Sequence, residues 1–281
     1  MRDFQSKVAV ITGAASGIGR GLAEKCVHEG MRVVLADVEK APLQQVAEAL
    51  SAQGARVLPV HVDVSQASEV EGLAEQAFST FGGVHLLFNN AGVGAGTTVW
   101  DSSLTDWEWV LGVNLWGVIH GVRYFVPRML AQNEECHIVN TASSEGVTLH
   151  SGLGVYRVSK FGVVALTETL AVELAERAAK IKVSMLCPEW VNTRIVDSDR
   201  NRPAELRNEE PQSPESAAAV AFLRQAAAQG MPPSEVAEAV FDAIQQEKFY
   251  IFTHPTTKFG AQVRADDILN ERNPRDVLHL S

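Results

Sequence analysis

Short β-branched runs recur along the chain at 7–12, 32–37, 56–63, 84–89, 137–142, 181–187 and 249–252, and stretches of helical period such as 17–29, 41–52 and 69–81 lie between them. Several of the runs are apolar at successive positions, Val8-Ala9-Val10-Ile11 and Val33-Val34-Leu35-Ala36 among them. A strand of that kind needs cover on both faces, which suits a parallel sheet flanked by helices. The order therefore predicts an α/β fold: a Rossmann-like doubly wound parallel sheet of about seven strands with helices on both faces. At 281 residues, one such sheet accommodates the chain as a single domain, 1–281.

Composition narrows the function classes. The net charge of −10 repels phosphate backbones and anionic lipid, so nucleic acid and membrane surfaces are not expected partners. Cys26, Cys136 and Cys187 are widely spaced and form no CxxC motif, which argues against a disulfide scaffold or a structural zinc. No signal-peptide core precedes the first strand-like run, and no 18 apolar residues run together. The expectation is a soluble, cytoplasmic chain.

Helix punctuation agrees with the alternation. Thr105 and Glu108 have capping-box spacing ahead of an apolar periodic stretch, and Ser213-Pro214-Glu215 opens an Ala-rich helix that Gly230 closes. The polar segment 194–212 reads either as a solvated loop or as part of a lid over a pocket, the lid extending to 230.

Thr12 to Gly19 (Thr-Gly-Ala-Ala-Ser-Gly-Ile-Gly) follows the first strand and opens the first helix. Glycines in such a turn let backbone approach a pyrophosphate, which the helix N-terminus attracts. The spacing is GxxxGxG rather than GxGxxG. Asp37 ends the second strand, where a carboxylate can bond both ribose hydroxyls of an adenosine and repel a 2′-phosphate. NAD is favoured on that ground, and NADP is left open because Lys40 could partner a phosphate. Asp63-Val64 closes the third run; Asp63 could bond an adenine amino group or cap the following helix.

Tyr156 and Lys160 stand four apart in a helical pattern reaching about residue 179, so both can face one site. A phenol titrates near pH 10, and acting as a base near neutrality needs a fall of about 3 units, about 4 kcal/mol. One cation about 4 Å away at an effective dielectric of about 20 supplies about that much.

With these residues the sequence resembles a short-chain dehydrogenase/reductase of the non-extended branch, over nearly its whole length. The motifs are Thr12–Gly19, Asp63, Asn89-Asn90-Ala91-Gly92, Asn114, Ile138 to Ser143, Tyr156-x-x-x-Lys160 and Pro188-x-x-Val191-x-Thr193. The resemblance implies Tyr156 as general acid/base and Lys160 as its electrostatic partner and ribose ligand. It implies Ser143 as the group that orients the carbonyl and Asn114 as the holder of a water linking Lys160 to solvent. Ser143 is preferred over Ser144 because the family spaces its serine so from the tyrosine. The cofactor contacts implied are Gly13, Ser16, Gly17, Ile18, Gly19, Asp37, Asp63, Val64, Asn90, Ala91, Gly92, Tyr156, Lys160, Pro188, Val191 and Thr193. The sequence departs from the family at Glu189, where the pattern has Gly after Pro188.

The expected reaction interconverts a secondary alcohol and a ketone by hydride transfer with NAD(P). No metal is expected, since the histidines form no HxxxH pair. Residues expected near the carbonyl are Gly94 to Gly96, Glu145, Val147, His150, Glu189, Trp190 and the 194–230 segment. Trp190 and Val147 favour a bulky apolar substrate. Glu145 and His150 read first as solvated surface, then as ligands of a polar substituent. Trp107, Trp109 and Trp116 read as helix core, with an interface second, and Cys187 as packing. Two alternatives are a non-catalytic dinucleotide sensor and another reaction, dehydration or epimerisation, on the same scaffold. The resemblance also implies a homodimer or homotetramer.

Overall fold

The computed structural model describes residues 1–95, 97–208 and 214–279. Its strands are β1 (Val8–Thr12), β2 (Arg32–Asp37), β3 (Val57–His61), β4 (Leu86–Asn89), β5 (Cys136–Thr141), β6 (Ile181–Cys187) and β7 (Tyr250–Phe252). The α-helices are α1 (Gly17–His28), α2 (Lys40–Ser51), α3 (Ala67–Phe81), α4 (Leu104–Leu111), α5 (Gly117–Gln132), α6 (Gly154–Glu176), α7 (Pro214–Ala228), α8 (Pro233–Gln245) and α9 (Pro255–Leu269). All seven strands pair in parallel in the order β3-β2-β1-β4-β5-β6-β7.

Two-faced burial explains the apolar runs. Ala9, Ile11, Val33 and Leu35 pack on one side against Leu22 and Cys26 of α1 and Val236 and Val240 of α8. Val8, Val10, Val34 and Ala36 pack on the other against Leu73 of α3 and Phe125 and Met129 of α5. Every residue of β1 is buried. The strand order reverses between β1 and β4, and at such a switch point the loops leaving the carboxyl ends part into a crevice.

One helix start differs from the sequence expectation and one agrees with it. The capping box ahead of α4 is Ser103 with Asp106, not Thr105 with Glu108: the Asp106 amide donates to Ser103 Oγ and the Ser103 amide to Asp106 Oδ2, both at 3.0 Å. Ser103 Oγ and Thr105 Oγ1 both donate to Asn208 Oδ1. The Ala-rich helix is α7, with Pro214 first, while Ser213 lies outside the described residues. Between α4 and α5 the chain makes one π-turn, Gly112–Trp116, a feature with no sequence signal of its own, and it carries Asn114. Among the described residues no helix is long and apolar enough to cross a membrane.

Candidate active site

A cleft of about 1810 Å³ runs along the carboxyl ends of the strands. One end is the turn between β1 and α1. Gly13 there has φ +67°, and a Cβ on Gly19 would stand 2.0 Å from the Gly13 carbonyl oxygen, so no larger residue fits this path. Thr12 and Asn90 lock the turn to the end of β4. Thr12 Oγ1 accepts from the amides of Asn90 (2.9 Å) and Ala91 (3.0 Å), and Asn90 Nδ2 donates to the Thr12 carbonyl at 3.0 Å. Ser16, the N-cap of α1, makes no side-chain cap bond, leaving the helix N-terminus at the cleft without that partner. A backbone cradle with an uncapped helix start fits the pyrophosphate of a dinucleotide. Gly13, Ser16, Gly17, Ile18, Asn90, Ala91 and Gly92 line the cleft. Thr193 packs over the turn, since a Cβ on Gly17 would meet its Cγ2 at 2.8 Å.

Asp37 closes this end. Its Oδ2 accepts from the Ala15 amide and its Oδ1 from the Glu39 amide, both at 2.9 Å. Burial pushes its carboxyl above the usual carboxylate range despite those bonds. Lys40 is exposed. Glu39 beside it is held by Arg200, whose Nη2 lies 2.8 Å from Oε2. The sequence reading missed Glu39 because its partner lies 161 positions away. Asp63 bonds Ser65 through Oδ1, to the amide at 2.9 Å and the hydroxyl at 2.7 Å. It therefore shapes the turn before α3, whose N-cap is Gln66. Val64 is buried, and its carbonyl hydrogen-bonds His120 Nδ1.

At the other end β5 delivers Ser143, and the first turns of α6 deliver Tyr156 and Lys160. Ser143 Oγ accepts from the Glu145 amide at 3.2 Å, and all three residues line the cleft. Lys160 Nζ lies 5.6 Å from the Tyr156 ring centroid and donates to the Thr141 carbonyl at 2.9 Å. Asn114 is fully buried: its Oδ1 accepts from the Val93 amide, and its Nδ2 donates to the Val93 carbonyl and Ser159 Oγ. A Cβ on Gly92 would meet both Asn114 Oδ1 and Lys160 Nζ at ordinary contact distance.

The electrostatics correct the sequence arithmetic. Burial pushes the Tyr156 phenol up to about 12, with the Ser143 hydroxyl drawing it down and the Glu145 carboxylate adding to the rise. Burial likewise lowers Lys160 to about 8. The single-cation sum counted attraction and omitted the cost of taking both groups out of water.

The remaining walls correct it further. Glu145 and His150 are not solvated surface; their side chains are 14% and 16% exposed and lie 2.5 Å apart through Oε1 and Nε2. Glu189 turns to the start of α9, accepting from Thr256 Oγ1 at 2.5 Å and Thr257 Oγ1 at 2.6 Å. Trp109 is core and Trp107 packs half-buried against the same cluster, but Trp116 is 52% exposed; all three line the cleft. Pro188 and Val191 line the cleft, and Val191 pairs with Met231 in an isolated bridge. Gly96 and positions 209–213 lie outside the described residues. Within the segment, residues between Arg194 and Asn208 and Val220, Phe222 and Leu223 reach the cleft, and ion pairs tie it down. Arg202, under the Trp109 ring at 4.9 Å, pairs with Asp106 at 2.7 Å, and Arg224 pairs with Asp197 at 2.7 Å.

The family model described as short chain dehydrogenase matches residues 7–204. A short chain dehydrogenase/reductase from Burkholderia phymatum, solved in complex with NAD, is 48% identical over 100% of both chains, with a TM-score of 0.96. The CLA biosynthesis dehydrogenase/reductase of Lactiplantibacillus plantarum is 33% identical over 91% of this chain and 90% of its own. The 1-deoxy-11-beta-hydroxypentalenate dehydrogenase of Streptomyces arenae is 32% identical over 94% of this chain and 88% of its own.

Proposed function

The chain belongs to the short-chain dehydrogenase/reductase family of oxidoreductases, and from that premise we propose that it interconverts a bulky, largely apolar secondary alcohol and its ketone with NAD(H). The observation that carries this reading is the convergence of Ser143, Tyr156 and Lys160 in one cleft with the glycine turn at its far end. When bound, the nicotinamide supplies or accepts the hydride at the carbonyl carbon.

In reduction, the Tyr156 hydroxyl gives its proton to the carbonyl oxygen, and in oxidation it takes that proton back. Ser143 Oγ, steadied by the Glu145 amide, holds the same oxygen and orients the carbonyl. Lys160 holds the ribose and stabilises charge on the phenol as the proton leaves. Asn114 fixes the Val93 backbone beside Lys160 and holds the water that links Lys160 to solvent. Gly13 to Gly19 cradle the pyrophosphate, Asp63 and Val64 bound the adenine, and Asn90 to Gly92 pack on the adenosine side. Pro188, Val191 and Thr193 hold the carboxamide. Asp37 at the end of β2 would face the adenosine ribose and disfavour a 2′-phosphate, which supports NAD over NADP.

A cleft of about 1810 Å³ exceeds the range of about 300–1,000 Å³ usual for one small ligand. That leaves room for a bulky substrate beside a dinucleotide. Trp190, Leu206, Leu223 and Leu278 give it apolar walls, and 194–230 serves as its lid. The assembly is a homodimer or homotetramer.

The test is loss of reduced-nicotinamide absorbance with NADH and then NADPH, against aliphatic, aromatic and polycyclic ketones. Ketone-dependent oxidation, faster with NADH and with the larger ketones, is expected. Cofactor binding without oxidation on any ketone would overturn the reading in favour of a sensor.

A further inference from the structure

The residue after next to Ser143 makes a set of contacts that the reaction outlined above does not use. Glu145 sits in the short 3-10 turn Ser144–Gly146, and its amide donates to Ser143 Oγ. Its carboxylate spans outward in two directions. Oε1 meets His150 Nε2, and Oε2 stands 2.5 Å from Nη2 of Arg157, the neighbour of Tyr156 in the first turn of α6. Arg157 is anchored in turn, with Nη1 donating to the Thr148 carbonyl at 2.8 Å. All of this is shielded: the side chains of Glu145, His150 and Arg157 are 14%, 16% and 10% exposed. Oε2 and Nη2 have no hydrogen-bond partner despite their separation, so this contact is an ion pair off the hydrogen-bond axis.

We propose that Glu145 is a positioning residue of the reaction, holding the Ser143 turn against the first turn of α6 through Arg157 and His150. The inference rests on the reading of Ser143 and Tyr156 given above. A buried carboxylate between two cationic side chains is costly to place and holds its neighbours in one geometry once paired. Here Glu145 belongs to the Ser143 turn and Arg157 to the first turn of α6, the two elements whose hydroxyls must meet on one carbonyl oxygen, where small misplacements cost large factors in rate.

The arrangement has an electrostatic consequence. Tyr156 faces Ser143 and Glu145 from the β5 side and Lys160 from its own helix, and Lys160 feels Cys187 of β6. Glu145 raises the phenol, so its neutralisation favours proton loss from Tyr156. His150 faces Glu145, Arg157 and the Ser151 carbonyl, and the carboxylate holds it above the usual imidazole range. Arg157 also feels Asp276, which accepts from the Ser151 amide. Protonated His150 and Arg157 together screen Glu145. When His150 loses its proton, the phenol becomes harder to ionise.

The experiment compares wild type, Glu145→Gln, Arg157→Lys and His150→Gln. Three readouts are used: an alkaline ultraviolet difference titration against Tyr156→Phe to isolate the Tyr156 phenol, NADH affinity, and kcat across pH. Circular dichroism checks that each chain stays folded. Glu145→Gln is expected to lower the phenol midpoint by about one unit, tenfold in ionisation constant. The same change lowers kcat at least tenfold and leaves NADH affinity unchanged. Arg157→Lys keeps the charge but loses the reach, so kcat falls while the phenol midpoint stays. His150→Gln leaves the phenol midpoint unmoved, because His150 is already neutral at that pH, but removes its limb from the kcat profile. Wild-type midpoint and kcat in Glu145→Gln would overturn the proposal. If the wild type turns over no ketone, the underlying reading fails, and the phenol midpoint alone decides whether Glu145 acts on Tyr156.

Discussion

At the ends of β1 and β4 the cleft is shaped by backbone: a glycine turn with φ +67° at Gly13, no room for a Cβ at Gly19, and amides gathered onto Thr12 and Asp37. Beyond β5 and β6 it is shaped by side-chain pairs between segments far apart in sequence, Arg202 with Asp106, and Glu189 with Thr256 and Thr257. The first construction tolerates almost no change and serves a ligand of fixed shape. The second can be re-paired without disturbing the sheet, which suits a wall that must fit one substrate.

The largest expected effect that would sharpen this contrast is Arg202→Met. Arg202 and Asp106 are nearly buried, their side chains 5% and 10% exposed. Removing one partner strands a charge at a cost of about 3–5 kcal/mol, read as a lower Tm and a higher KM for ketone with unchanged NADH affinity. Burial opposes ionisation of Asp106, but Arg202, Ser103 and Asn208 more than offset it and hold its carboxyl below the usual value of 3.8. Its contribution is thus present above that value and lost as pH falls through the lower folded one. Acid titration of wild-type stability should show this loss, and Asp106→Asn should lack it.

Lys160→Met is expected to do the reverse, stabilising the fold while stopping turnover. Lowering Lys160 from 10.5 to about 8 costs the folded state about 3 kcal/mol near neutrality, partly offset by its bond to the Thr141 carbonyl. Between those two values Lys160 binds more protons in the unfolded chain and contributes a rise of stability with pH, against a fall from Cys26, Cys136 and Cys187, whose thiols burial pushes up. Denaturant melts across that window should show wild type gaining stability relative to the variant as pH rises.

Asp37→Ala should weaken NADH by about 1.5–3 kcal/mol, the range for hydrogen bonds to charged groups, and relax rejection of NADPH. Equal affinities for both cofactors before and after would break the assignment of this end to the adenosine. The smallest effect is expected from Glu189→Gly, which removes the two bonds to α9. A stability loss of about 1 kcal/mol should accompany a few-fold rise in KM for large ketones, with kcat nearly unchanged.

What was legible in the sequence follows the same divide. The runs Val8 to Ile11 and Val33 to Ala36 betray two-faced burial, and the glycine turn and the Tyr156/Lys160 spacing are local patterns, so the sheet and the core of the site could be read directly. Glu145 and Glu189 could be placed in the cleft but not their bonds, and Glu39 not at all, because what each does depends on Arg157, Thr256 and Arg200, partners that no periodicity links to them. The phenol was misjudged for a related reason: spacing shows that a lysine is near, but burial, which decides the outcome here, belongs to the folded state. The cap at Ser103 was displaced by two positions, as Thr105 and Ser103 offer the same hydroxyl and only the Asp106 amide, which bonds Ser103, tells them apart.

The most direct test of the account is ketone-dependent NADH oxidation by wild type and Tyr156→Phe side by side, with NADH affinity measured on both. The account predicts a fall in kcat of about 10²–10⁴-fold, the usual share of general acid–base catalysis, at unchanged NADH affinity. A variant that keeps most of the wild-type rate would contradict it.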